Sequence, residues 1–217
     1  MAGGISVSAQ LVKQLREKTG APFVECKKAL EEAGGDLAEA EVVLRKRGIA
    51  SAHKKAGRAT TEGGVGSYIH AGGKIGVLVE LNCETDFVAR TADFQELLHD
   101  LAMHIAASDP RYLRREDVPP EVLEGERDIA RARAQAGGKP PNVLERIVEG
   151  QLHKFYEETC LLDQHFIKDP NLSVGQLIAT KIAKVGENIV VRRFARFKVG
   201  EAAPQNSPGP LAATPVS

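Results

Sequence analysis

The sequence predicts an α+β fold, in which an N-terminal three-helix bundle precedes a core where a small antiparallel sheet packs on helices. Three observations predict it. Helical spacing of apolar residues dominates residues 8–48 and 91–159, strand-like alternation appears over residues 65–82, and a strand, a helix and a strand close the chain. Because few strands can be joined by short right-handed crossovers, a doubly wound α/β sheet is not expected.

Residues 1–50 are expected to form the three-helix module. Ser8 can cap the first helix, Pro22 suits the first turn of the second, and Asp36 can cap the third. Glycines follow the expected helix ends, at Gly20, Gly34 and Gly48. A bundle of about 40 residues has a thin core, so it is marginal alone.

Residues 51–64 are polar and partly basic, and we expect a linker there. The core domain is expected over residues 65–200. Its first two strands, 65–71 and 74–82, are predicted to be joined by a tight turn at Gly72-Gly73.

The remaining core elements are predicted from apolar spacing and from the residues that start and stop helices. These are helices at 91–107, from Pro119-Pro120 to Gly137-Gly138, from Pro140-Pro141 and from Ser173 to Gly186, with strands at 161–167 and 188–199. Residues 201–217 are rich in Pro, Ala and Ser without periodicity, which predicts a disordered tail.

Composition argues against several classes of function. Lys plus Arg equals Asp plus Glu, at 29 each, so direct nucleic-acid binding through phosphate neutralisation is not expected. Apolar runs are too short to span a membrane, and the N-terminus lacks a signal-peptide pattern. Three widely spaced cysteines indicate free thiols, and we therefore expect a cytoplasmic protein.

No catalytic or metal-binding pattern is found in the sequence. The six histidines show no i, i+4 pair, and the cysteines lack CxxC spacing. Gly72-Gly73-Lys74 lacks the first Gly and the final Ser or Thr of a phosphate loop. We expect no metal, no cofactor, no bound nucleotide and no enzymatic activity. A nucleophilic pair of Cys83 with a histidine stays open, although a buried inert thiol is the default.

Two apolar positions are unusual. Phe87 follows Asp86 at a strand-to-helix turn, where small or polar residues are more usual. Phe87 either packs in the core, with Asp86 capping the next segment, or points outward to enter another molecule. The pair Phe23-Val24 is likewise either bundle core or an apolar knob for a partner. Residue patterns leave both choices open.

Several motifs together resemble bacterial elongation factor Ts. They are LVKQLREKTGA at 11–21, ECKKAL at 25–30, NCETDFVA at 82–89, AMHIAAS at 102–108, VGENI at 185–189 and Arg192-Arg193. The resemblance extends over about residues 7–199 in a consistent order. It implies a ubiquitin-associated-like N-terminal module, and a guanine-nucleotide exchange factor that promotes GDP release from elongation factor Tu in translation.

The resemblance also implies the residues of two contact surfaces. One disturbs the Mg²⁺ and phosphate site of elongation factor Tu and comprises Thr85, Asp86, Phe87 and Val88. The other docks the N-terminal module on the GTPase domain and comprises Val12, Arg16, Phe23 and Val24. Phe87 would wedge between helices of the partner.

The chain resembles the short, single-core form of the family, which implies a homodimer formed by the core domain. A different class of function remains as an alternative, namely a helical binding module with a dimerising core for another protein or a ubiquitin-like partner. A thiol-dependent enzyme using Cys83 is a third, weaker hypothesis.

Overall fold

The structure is a computed structural model that describes residues 7–136 and 140–201. Its helices are α1 (Ala9–Thr19), α2 (Phe23–Glu32), α3 (Leu37–Lys55), α4 (Asp86–Ala89), α5 (Ala92–Ser108), α6 (Pro120–Ala136), α7 (Pro141–Thr159) and α8 (Val174–Val185). Its strands are β1 (Glu62–Ile69), β2 (Ile75–Cys83), β3 (His165–Phe166), β4 (Asp169–Ser173) and β5 (Ile189–Lys198). This architecture confirms the α+β prediction. The ubiquitin-associated-like character of the N-terminal module stays a prediction.

The first three helices pack around a small apolar core. Ser8 and Asp36 cap α1 and α3 through their side chains, as predicted, and Gly20 ends α1 in a left-handed conformation. The core consists of Val12, Leu15, Cys26, Ala29, Leu30, Ala33 and Ala40.

The prediction that Gly48 ends the third helix is wrong, because α3 continues through it to Lys55. Gly48 is buried against α8, and a Cβ placed on it would lie 3.6 Å from the Ala179 carbonyl oxygen. Gly48 is therefore an interior position of α3 at its contact with α8, not a helix end. Residues 51–55 of the expected linker are helical as a result.

A three-stranded antiparallel sheet in the order β1-β2-β5 supports the core domain. Gly72 and Gly73 form the turn between β1 and β2 with φ values of 88° and 68°. On β2, Val77, Val79 and Leu81 face inward and belong to the main apolar cluster, which also contains residues of α5 and α8.

The segment before α8 differs from the prediction. The strand expected over 161–167 is reduced to β3, because a turn in which the Gln164 N–H donates to the Cys160 carbonyl oxygen occupies its first part. β4, which the sequence did not predict, pairs with β3 despite Pro170. Ser173 caps α8 as predicted, and Gly186 ends that helix.

Candidate functional site

The turn between β2 and α5 presents Phe87 to the outside. Thr85 caps the four-residue helix α4, and its hydroxyl accepts the Val88 N–H at 3.4 Å. Val88 and Ala89 are buried in the main cluster, whereas Phe87 is 79% exposed. Phe87 is therefore not a core residue of this chain.

Asp86 lies beside Phe87 and is partly exposed. Its carboxylate accepts a hydrogen bond from the Arg90 guanidinium at 2.8 Å, one helical turn later. Exposed pairs of this kind contribute roughly 0–1 kcal/mol, so Arg90 holds the carboxylate only weakly. Asp86 can consequently exchange this contact for one with another molecule.

The polar groups of Thr85 are used within the chain. Its N–H donates to Glu187 Oε2 at 3.0 Å and its hydroxyl donates to Glu187 Oε1 at 2.7 Å. Sequence reasoning did not single out Glu187, because it is 102 residues away along the chain. The structure thus brings the four predicted residues together but separates their positions: Phe87 and Asp86 face outward, Thr85 is partly buried, and Val88 is buried.

Two side chains hold the other end of α4. Thr91 donates its hydroxyl to the Val88 carbonyl oxygen at 2.7 Å, and Gln95 donates its amide to the Ala89 carbonyl oxygen at 2.7 Å. Both belong to the start of α5, where Thr91 is also the cap. Phe87 therefore projects from a turn that is held at both ends.

The second predicted surface lies on the N-terminal module. Phe23 and Val24 are 49% and 59% exposed at the start of α2, and Arg16 is exposed on α1. Phe23 and Val24 are not core residues of the bundle. Val12 is placed differently from these three residues, since it is 2% exposed and shares the buried stripe of α1 with Leu15.

The thiols are poorly suited to nucleophilic chemistry. Cys26, Cys83 and Cys160 are all buried, and burial raises the pKa of each thiol. Cys83 donates its S–H to the Thr85 carbonyl oxygen at 3.1 Å, so it packs beneath the Phe87 turn. The thiolate, which is the reactive form, is thereby disfavoured.

Within residues 7–136 and 140–201, no three His, Cys, Asp or Glu side chains lie close enough to hold a metal ion. In the same part of the chain, no helix is both long and apolar enough to cross a membrane. The outward residues of the Phe87 turn carry an aromatic ring and a carboxylate, which are groups suited to contact with a partner.

Comparison with known proteins decides the family. The family model described as elongation factor TS matches residues 52–201. The chain belongs to the elongation factor Ts family. The elongation factor Ts of Solibacter usitatus is 66% identical over 196 residues, which cover 90% of this chain and 92% of that relative. The elongation factor Ts of Koribacter versatilis is 66% identical over 197 residues, or 91% of this chain and 90% of that relative.

A more distant elongation factor Ts, from Geobacter sulfurreducens, is 59% identical over 197 residues, with 91% of each chain covered. The residues that match the elongation factor Ts family model include the whole Phe87 turn and Glu187. Most of the N-terminal module, including Phe23 and Val24, precedes them. The resemblance inferred from sequence motifs is confirmed.

Proposed function

We propose that this member of the elongation factor Ts family acts as a guanine-nucleotide exchange factor for elongation factor Tu in translation elongation. The observation that supports this most strongly is Phe87, a large apolar side chain 79% exposed on a turn held at both ends. A solvent-exposed ring gains free energy only when another molecule buries it.

Phe87 acts as a wedge that enters the GTPase domain of elongation factor Tu. Burial of a Phe side chain contributes roughly 1.5–3 kcal/mol, and buried aromatic anchors are typical hot spots of protein interfaces. Because the turn is already ordered, little conformational entropy is lost when the ring binds. The wedge weakens nucleotide binding if its pocket forms better in the nucleotide-free partner, and by linkage GDP then weakens the complex equally.

Asp86 enters beside the wedge and disturbs the Mg²⁺ and phosphate site. Its carboxylate carries negative charge towards phosphate groups, and it can leave its exposed partner Arg90 at low cost. The Mg²⁺ ion belongs to elongation factor Tu. In this role Thr85 and Val88 contribute by holding the turn, since one is bonded to Glu187 and the other is buried.

The exposed residues of the N-terminal module, Arg16, Phe23 and Val24, form a second contact on the GTPase domain. They lie outside the Phe87 turn. In this proposal they contribute affinity for the GTPase domain, while the turn promotes nucleotide exchange. Two surfaces on one chain also fix the orientation of the wedge. This division of roles makes the effects of mutations separable.

Stopped-flow release of fluorescently labelled GDP from elongation factor Tu tests the proposal. Phe87→Ala is expected to slow stimulated release by at least tenfold, since about 1.4 kcal/mol corresponds to a factor of ten. Its folding should be unchanged, because the ring is exposed. Val42→Ala, at another exposed apolar position, is the control and should leave release unchanged.

Normal release with Phe87→Ala would contradict the wedge. Absence of acceleration by the unmodified protein would contradict exchange itself and favour a binding module for another partner.

We further infer that two copies pair through the outer face of the three-stranded sheet. This face carries apolar side chains on all three strands: Val65, Ile69, Leu78, Ala195 and Phe197. Gly76 lies between Ile69 and Phe197, and the Ile69 side chain covers it, since a Cβ placed on Gly76 would lie 3.1 Å from Ile69 Cδ1. Antiparallel sheets pack face to face through such surfaces, and a two-fold pair uses the same patch on both copies.

A further inference from the structure

Glu187 follows the end of α8 and contacts the junction between β2 and α4, which is distant from it in sequence. It follows Gly186, the end of α8, and its two carboxylate oxygens each accept one hydrogen bond from Thr85, at 3.0 Å from the N–H and 2.7 Å from the hydroxyl. Thr85 is the residue at which β2 gives way to α4. A charged acceptor thus binds the two polar groups that precede Asp86 and Phe87.

The turn needs such an anchor. α4 has four residues, and isolated helices this short are not stable in water. Its two backbone bonds are long, at 3.3 Å from the Ala89 N–H to the Thr85 carbonyl oxygen and 3.2 Å from the Arg90 N–H to the Asp86 carbonyl oxygen. The direction of Phe87 therefore depends on contacts outside α4.

Glu187 also determines how the Thr85 hydroxyl is used. Because the hydroxyl hydrogen is donated to the carboxylate, the oxygen lone pairs face the Val88 N–H and accept it. The hydrogen bonds thus run in series from the Val88 amide through the Thr85 hydroxyl to the Glu187 carboxylate. Hydrogen bonds in series strengthen one another. Removal of the charge weakens both the anchor and the helix cap.

A reciprocal contact reinforces the arrangement. Glu84, which precedes Thr85, accepts the Asn188 N–H at 2.6 Å, while Glu187, which precedes Asn188, accepts from Thr85. The Asn188 side chain donates to the carbonyl oxygens of Ala56 and Arg58 at 3.4 and 3.1 Å. The end of α8 therefore connects the Phe87 turn with the segment that leads from the N-terminal module.

We propose that Glu187 is a positioning residue for nucleotide exchange. Its carboxylate binds Thr85 through two hydrogen bonds and thereby directs Phe87 and Asp86 towards the partner. This proposal rests on the proposed exchange function. Glu187 itself need not touch elongation factor Tu. Its contribution is to keep the wedge in one orientation before the encounter.

The first test uses the free protein. Glu187→Gln keeps the shape of the side chain, but its amide group can accept from only one Thr85 donor. Hydrogen exchange of the Thr85 and Val88 amides, followed by NMR, is expected to accelerate at least tenfold in this variant, since a charge-assisted hydrogen bond is lost. Glu96→Gln, which removes a carboxylate bonded to Lys181 of α8 at 2.6 Å, is the matched control and should leave both amides protected.

The second test is exchange on elongation factor Tu. Glu187→Gln is expected to lower the maximal rate of labelled GDP release about tenfold while the half-saturating concentration changes less, because the N-terminal surface is intact. Thr85→Val, which lacks the hydroxyl, should slow release similarly, and Thr85→Ser should retain it. The double variant Thr85→Val with Glu187→Gln should be little slower than either single variant.

Additive effects in the double variant, or unchanged amide exchange and unchanged release, would overturn the positioning role. Loss of release that merely follows the unfolded fraction, measured by thermal unfolding, would overturn it as well. The two proposals can fail separately. Normal GDP release with Phe87→Ala contradicts the wedge. Hydrogen exchange of the Thr85 amide tests the contact between Glu187 and Thr85 in the absence of elongation factor Tu.

Discussion

At the residue scale, Phe87 shows how exposure turns an ambiguous position into a candidate contact. Its neighbour Val88 is equally apolar, yet Val88 is buried and Phe87 is 79% exposed. Successive side chains of a helix lie about 100° apart, and on α4 the side that faces the core carries Val88 and Ala89, so Phe87 lies on the outer side. Thr85 sets this arrangement by starting α4 where it does.

A second residue-scale feature is His104, which is buried in α5. Gln164 donates its amide to the carbonyl oxygens of Ser108 and Glu158, so its Oε1 accepts from His104 Nε2 at 3.0 Å. His104 Nδ1 then accepts the Ile167 N–H at 3.3 Å. This arrangement favours the neutral imidazole, because a proton on Nδ1 would face the Ile167 N–H.

This geometry predicts a pH dependence of stability. Burial lowers the pKa of His104, although the bond to Gln164 opposes the shift. The pKa of a histidine in the unfolded chain is about 6.5. Below that pH the unfolded chain binds a proton that the folded chain does not bind, so the free energy of unfolding falls as pH falls. The slope contributed by one group reaches up to about 1.4 kcal/mol per pH unit.

Urea unfolding between about pH 7 and pH 5 measures this slope. His104→Gln is expected to be less stable at neutral pH but to show a flatter dependence. His99→Gln, on the exposed side of the same helix, is the control and should keep the original slope. An unaltered slope in His104→Gln would assign the titration to another group.

At the element scale, two glycines lie at contacts between elements but differ in the space around them. A Cβ on Gly66 of β1 would lie 2.7 Å from Leu98 Cγ of α5, which is too close for real atoms. A Cβ on Gly48 of α3 would lie 3.6 Å from the Ala179 carbonyl oxygen, an ordinary contact distance. The strand thus requires its glycine, whereas the helix tolerates a methyl group.

The two alanine variants are therefore expected to change stability in opposite directions. Gly66→Ala forces Leu98 or the strand to move and should lower the free energy of unfolding by about 1–3 kcal/mol. Gly48→Ala should raise it by up to about 1 kcal/mol, since alanine favours a helix interior over glycine. Equilibrium urea unfolding measures both changes. Destabilisation by Gly48→Ala would show that the contact between α3 and α8 has no space for the methyl group.

At the scale of the whole molecule, the outer face of the three-stranded sheet is the reason that we expect the protein to be a dimer. An exposed apolar surface across three strands is typical of an interaction site, and its residues are distinct from those of the Phe87 turn. A charge placed in the middle of such an interface would be buried without a partner, which is costly.

Leu78→Asp is accordingly expected to convert the protein from a dimer to a monomer, measured by light scattering. Leu78 is 49% exposed at the centre of the face, where it pairs with Ser67 and Ala195. Ile129→Asp, a change at a residue 46% exposed on α6, is the control and should leave the mass at twice that of one chain. A monomeric unmodified protein would refute the pairing.

The sequence by itself determined the α+β class, most of the helices and their caps, because apolar spacing and capping residues act over a few positions. Motifs of the same local kind determined the family, confirmed by the match over residues 52–201. Of the tail expected over 201–217, residues 202–217 lie outside the described residues, and Glu201 has no regular secondary structure.

Only the tertiary structure decided that Phe87 faces outward, that Val12 faces inward and that α3 passes Gly48. It also revealed the contact of Glu187 with Thr85. The physical reason is common to all four. Burial and long-range hydrogen bonds depend on which surfaces meet in space, and residues about 100 positions apart leave no periodic signal in the chain.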